Sequence, residues 1–451
     1  MLAFVSLTER DLESLDPLRL DREIARMAGA VRRWRRRLRG GGGLDDDPFV
    51  GGRIVASRTA FRAVSELPPD DPLRAALLSW VYRLAEQRID GNALVAVTIA
   101  AKHTEHVVSE PERVKTSLSA ILARALAEPP RRAAWLASYE ERCAPLADAV
   151  GLLWERRQEV AARMGLASPD VIESPGGAVV AAASAWLDRT GDLLEGPSRL
   201  NLADVIGAAL GERAREGWPR ALTPWTLLDL FRGSDLFRDV DLDPGELPRA
   251  FAPASFLRAL AQVGAAWVDA TAPTDQPFVI AHDPYGLRRR TVGALFGALP
   301  AGSPFARRAL GLGGNTLAEH RRALGVALLV ESRAAALRVL CRQSALSGRS
   351  AFREAFEEHL ARAFRIAARP DAAGALFRPR ADDQQRFAGL LLAGAEAARM
   401  RERHEEDWYR NPRAIEQLRD EARLSPERVT TEAALSAGAD ATYAELTSAL
   451  A

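Results

Sequence analysis

From Asp21 to Arg39 the apolar residues Ile24, Met27, Val31, Trp34 and Leu38 recur at intervals of three and four, which puts them on one stripe of a helix. Helical periods of this kind fill most of the chain. Ala, Leu and Val dominate the apolar 47% of the sequence and strand formers are thin, so the local preference is helical almost throughout. An all-α protein is expected. Its 451 residues suffice for one large helical body with a central channel, or for two or three ordinary domains.

The 61 basic and 60 acidic residues nearly cancel, so no overall charge calls for nucleic acid or an anionic membrane. Any such binding would be local. Arg32 to Arg39 offers one candidate, a basic run around Trp34, although Asp45, Asp46 and Asp47 follow closely enough to offset it. Gly40 to Gly43 break that helix, and the segment to Gly52 reads as a flexible loop. Cys143 and Cys341 sit far apart in helical patterns, which suits buried reduced thiols and a reducing cytoplasm. The start, MLAFVSLTERDLESLD, lacks a basic n-region and a long apolar run, so no export signal is expected, and no run of eighteen uncharged apolar residues occurs. A soluble cytoplasmic protein is expected.

Between about residue 55 and residue 150 the helical periods are separated by ELPPDDP (Glu66 to Pro72) and EPP (Glu128 to Pro130), where proline ends one helix and opens the next. In AKHTEH, His103 and His106 are expected one turn apart on a helix, with Glu105 between. Two such histidines can chelate a metal, but no third ligand is apparent, and a polar helix surface is the plainer reading. The acidic stretch with Asp235, Asp239, Asp241 and Asp243 lacks the register of a calcium loop and reads as a loop with helix caps.

From Leu152 the helix LLWERRQEVAARM runs into Gly165, and AWLDRTGDLL (Ala185 to Leu194) and LTPWTLLDLFRG (Leu222 to Gly233) follow. Near the end come Glu406, Asp407 and Trp408, then Asn411, Pro412 and Ala414 opening a further helix. In this order the segments resemble helical zinc peptidases of the thimet oligopeptidase and oligoendopeptidase F group, over roughly residues 150 to 425. The resemblance implies a large helical clamshell with a central cleft. It divides the chain into an N-terminal helical domain to residue 150, a peptidase-like domain from 151 to 430, and a loosely held tail from 431.

The same resemblance implies a metal site that the chain does not supply. Those peptidases carry His-Glu-x-x-His on one helix, two imidazoles for zinc and a glutamate as general base, with a third ligand about 25 residues on. Here the corresponding helix reads RTVGALFGALP. Aligned on Gly293, Arg290 replaces the first histidine, Thr291 the general base and Ala294 the second histidine. Glu319 and Glu331 are candidates for the third ligand, but Thr316 and Glu319 also form a capping box for a helix from Leu317.

His282, Asp283 and Tyr285 just upstream, with His320, are candidates for another site. Arg290 can hold a carboxylate, such as a peptide terminus, or lie in a plain salt bridge. The expectation is therefore a catalytically inactive peptidase homologue with no cofactor, binding a peptide, protein tail or partner subunit in its cleft. Two alternatives stand beside it. One is different chemistry in the same cleft, and the other is a nucleic-acid or membrane adaptor working through Arg32 to Arg39.

Overall fold

A computed structural model describes residues 12, 15–40, 42–102, 104–109, 112–116, 118–176, 178–194, 251–423 and 429–451, with 205, 222, 223, 227, 236 and 240. Most of the acidic stretch from Gly233 to Pro248, including Asp235, Asp239, Asp241 and Asp243, and most of Leu222 to Gly233 lie outside them. Among the described residues the fold is all-α but for one hairpin. Helix α1 (Pro17–Gly40) leads to α2 (Arg58–Ser65), α3 (Arg74–Ile89) and α4 (Gly91–Lys102), and proline breaks separate α2 from α3 and α5 (Leu118–Ala127) from α6 (Arg132–Arg142). Then follow α7 (Ala144–Arg163), α8 (Asp170–Glu173), α9 (Val179–Arg189), α10 (Pro253–Thr271), α11 (Phe278–Ala281) and α12 (Leu287–Ala298). The chain closes with α13 (Ser303–Arg308), α14 (Gly314–Leu346), α15 (Arg349–Phe364), α16 (Asp383–His404), α17 (Pro412–Arg423) and α18 (Glu432–Leu450). No described helix is long and apolar enough to cross a membrane.

The stripe of α1 is buried as its spacing predicts. The glycine-rich segment after it is pinned: the Trp34 indole N–H donates to the Gly43 carbonyl at 2.9 Å, and Arg37 and Arg53 pair with Asp46 and Asp47. A correction falls at His106. It lies on β1 (Thr104–Ser109), antiparallel to β2 (Glu112–Thr116) and opposite Val114, so no helical pair with His103, which is outside the described residues, can form. The β-branched residues flank Pro111, which a helix interior does not tolerate.

Among the described residues two hydrophobic cores form. The smaller gathers α1, α2 and α3, and the larger is built mainly from α10, α12, α14, α15 and α16. Helix α7 serves both, with Leu153 and Trp154 in the larger and Val160 and Ala161 in the smaller. The boundary expected at residue 150 therefore falls inside one continuous helix. The junction between the cores is ionic. Arg157 of α7 lies 2.8 Å from Glu86 and 3.3 Å from Asp90, Arg83 also pairs with Glu86, and Arg342 of α14 holds Asp170 and Glu173. Trp154 lies between two of these cations, with guanidinium carbons 4.6 and 5.5 Å from its ring centre.

In the larger core the helices touch through glycine. A Cβ on Gly293 of α12 would stand 2.8 Å from the Ala261 carbonyl oxygen of α10, and one on Gly389 of α16 would stand 2.8 Å from the Arg290 Cβ. These contacts set α10, α12 and α16 backbone to backbone. The segment read as a loose tail is corrected likewise. Thr431 caps α18, and Leu435, Leu446 and Ala449 are buried against its neighbours. Its small residues allow the close approach that makes it part of the core.

Candidate functional site

The peptidase alignment puts Arg290, Thr291 and Ala294 on α12, and the structure sends them three ways. Arg290 pairs with Asp382 at 2.6 Å, where burial and the neighbouring Arg386 push its guanidinium down to about 10. The Thr291 hydroxyl is buried and donates to the Leu287 carbonyl at 3.0 Å, a bond within its own helix. Ala294 has no donor atom and lines a cavity of about 190 Å³. These residues do not fit a zinc ion. Among the described residues no three His, Cys, Asp or Glu side chains group as such an ion requires.

Of the other candidates, only Glu331 reaches the same cavity, and Arg258 of α10 holds its carboxylate. Asp283 caps α12: its carboxylate accepts from the Tyr285 and Leu287 N–H groups at 3.1 Å each, while Gly286 takes the left-handed turn at φ 72°. The His282 ring lies 4.6 Å from that of Phe278, tilted at 41°, and burial pushes its pKa down. Tyr285 is buried beneath Arg83, whose guanidinium carbon is 5.3 Å from the ring centre.

Glu319 is exposed on α14, which corrects the capping box. The helix starts at Gly314 with Gly313 before it, so Thr316 already lies inside the first turn and makes no capping bond. Two glycines let the chain enter the helix a turn earlier than the capping pattern marks.

His320 is buried on α14, and burial pushes its pKa down to about 4. An unfolded histidine titrates near 6.5, so the unfolded chain binds this proton first as pH falls. Stability from His320 is complete above pH 6.5 and lost between 6.5 and about 4. Replacing His320 with Gln is expected to remove about 2 kcal/mol of the destabilisation otherwise seen on going from pH 7 to pH 5. Urea unfolding of both proteins at the two pH values measures it, and equal losses would refute it.

The cavity lies among α10, α12, α13, α14, α16 and α18. Leu257, Leu295, Phe305, Leu328, Trp408 and Leu446 give it an apolar interior. Charged residues rim it as the pairs Arg258–Glu331 and Arg401–Glu445, with Glu406 beside them. Tyr409 and Thr442 also line it, and neither hydroxyl has a hydrogen-bond partner among the described residues. Another hollow lies along the face of α17 alone, without a wall from a second element.

Next to Arg290 stands a group that the sequence reading did not single out: Arg338 of α14, Arg378 and Arg380 ahead of α16, Asp382 and Asp383 at its start, and Arg386 on its first turn. Asp382 is shared, 2.6 Å from Arg290 and 2.9 Å from Arg386. The run FRPRADDQQR (Phe377 to Arg386) was the available signal, five charged side chains within ten residues.

No protein-family model and no curated protein matches this chain. Among solved structures, "The Structure of CHT" is similar over 97% of this chain and 99% of its own, with a TM-score of 0.51 and 11% identity. Oligoendopeptidase-F from Enterococcus faecium is similar over 98% of this chain and 99% of its own, with a TM-score of 0.44 and 9% identity. The first likeness shows a shared fold and carries no activity with it.

Proposed function

We propose that this chain is a non-hydrolytic protein on an oligopeptidase-like helical scaffold, and that its cavity beside α12 binds one apolar side chain of a peptide or protein partner. The observation that carries the reading is the wall. Ala294 stands at the position aligned with a metal-binding histidine, and its small side chain lines the open space. Size decides what fits there. An apolar cavity of roughly 150 Å³ admits a benzene ring, whereas pockets for drug-sized ligands begin near ~300 Å³. At about 190 Å³ the space suits one ring or branched side chain, not a length of peptide. The charged rim keeps the mouth wet and leaves affinity to the apolar interior.

A displayed random-peptide library selected on the wild type, then rebound to Ala294→Phe, tests the reading. Enriched peptides are expected to carry one large apolar residue, to bind the variant at least tenfold more weakly, and to be recovered intact by mass spectrometry. Equal binding to a folded variant would remove the cavity from the proposal. Cleaved peptides, with or without added zinc, would overturn its non-hydrolytic part.

A further inference from the structure

Five guanidinium groups, those of Arg290, Arg338, Arg378, Arg380 and Arg386, gather where α12, α14 and the start of α16 meet; Asp382 and Asp383 lie among them, and Glu331 acts on Arg338 and Arg386 from beyond ion-pair distance. Asp382 is used by Arg290 and Arg386 together. Asp383 accepts the Arg380 backbone N–H at 2.6 Å, and burial pushes its own carboxyl up toward the neutral form. Among the described residues no carboxylate lies within ion-pair distance of the Arg338, Arg378 or Arg380 side chains. Arg338 lies over the Phe377 ring, 5.6 Å from its guanidinium carbon.

The crowding acts on the arginines themselves. Repulsion from Arg386 pushes Arg380 down to about 9. An arginine at 9 is still charged at neutral pH, so proton loss does not relieve the repulsion. The group remains reachable by solvent: Arg380 is exposed, and the Arg290 and Arg386 side chains retain 25% and 33% exposure. The first turn of α16, a helix of 22 residues, adds the positive end of its dipole.

We propose that this cluster binds a multiply charged oxyanion, a phosphate or pyrophosphate group. A lone carboxylate neutralises one charge, whereas a phosphate group brings up to two charges and three acceptor oxygens that planar guanidinium forks engage in pairs. The proposal is independent of the cavity reading. Unliganded, the cluster costs stability, and the oxyanion restores it.

Thermal unfolding of the full chain with sodium pyrophosphate, phosphate, phenyl phosphate, acetate or chloride at matched ionic strength tests it. Pyrophosphate is expected to raise Tm most, phosphate less, and acetate no more than chloride. A phenyl phosphate shift matching phosphate assigns the site to an esterified group, and a phosphate shift without it assigns the site to the free anion. Arg380→Gln is expected to raise Tm without added anion and to weaken pyrophosphate binding at least tenfold, and Arg338→Gln to do likewise. A purely structural arginine would lower Tm when replaced. Shifts equal to those of chloride, or a pyrophosphate shift unchanged in both variants, would overturn the proposal.

Discussion

Arg342→Ala is expected to destabilise the protein by about 3–5 kcal/mol, the cost of stranding one member of a buried ion pair. Arg342 is fully buried, and its guanidinium holds Asp170 and, at 2.6 Å, Glu173, itself fully buried. Burial and the nearby Glu86 already push the Glu173 carboxyl up to about 7, while Arg83 and Arg157 hold Glu86 low against its own burial. A carboxyl raised in the folded state binds protons more tightly there than in the unfolded chain. Its favourable contribution is thus complete below its unfolded pKa near 4.5 and is lost as pH rises through about 7.

Without Arg342 the Glu173 charge is harder to sustain, so the loss is expected to be larger at pH 8 than at pH 5.5. Denaturant unfolding at both pH values measures it. Pairing Arg342→Met with Glu173→Leu is expected to recover most of the loss, since well-packed apolar residues replace buried ions at little cost. A loss under ~1 kcal/mol, or one independent of pH, would show that the junction between the cores is hydrated and does not depend on this arginine.

The second large effect is expected from a single methyl group. A Cβ on Gly438 of α18 would stand 2.4 Å from the Leu391 carbonyl oxygen and 2.6 Å from its carbon, both backbone atoms of α16. A flexible side chain can move aside, but a helix backbone moves only with its whole helix. Gly438→Ala is therefore placed at about 3 kcal/mol, the upper end of overpacking losses. Gly91→Ala is the control. That position heads α4 with nothing within 4 Å of a new Cβ, and alanine there is expected to be neutral or to add up to ~1 kcal/mol by restricting the unfolded chain. Thermal melts of the two variants side by side settle the point, and similar Tm values would mean that α18 is held loosely, as a tail.

Most of the helices were legible before any coordinates. The stripe from Ile24 to Leu38, the proline breaks at Pro68 to Pro72 and Pro129 to Pro130, and the helix holding Arg290 follow from residue spacing and from what proline and glycine permit. The hairpin at Thr104 to Thr116 was read as helix because a short polar stretch carries little period. The segment from residue 431 was read as a tail because alanine, glycine and serine have little surface to bury. Their small size lets α18 approach α16 closely, and the gain appears only when the second helix is present.

Of the candidate site, the absence of a His-Glu-x-x-His string was visible in the letters, because such a motif is a matter of residue type at fixed spacing. The partners of Arg290 and Arg342 were not. Arg290 and Asp382 are 92 residues apart, and Arg342 and Glu173 are 169 apart. Sequence by itself determined helices, breaks and the absence of that motif, because sterics and backbone hydrogen bonding act over a few residues. Which charges share a buried space, and which small residue leaves a cavity, was decided only by tertiary structure, since Coulomb forces and packing act across distance in space whatever the separation along the chain.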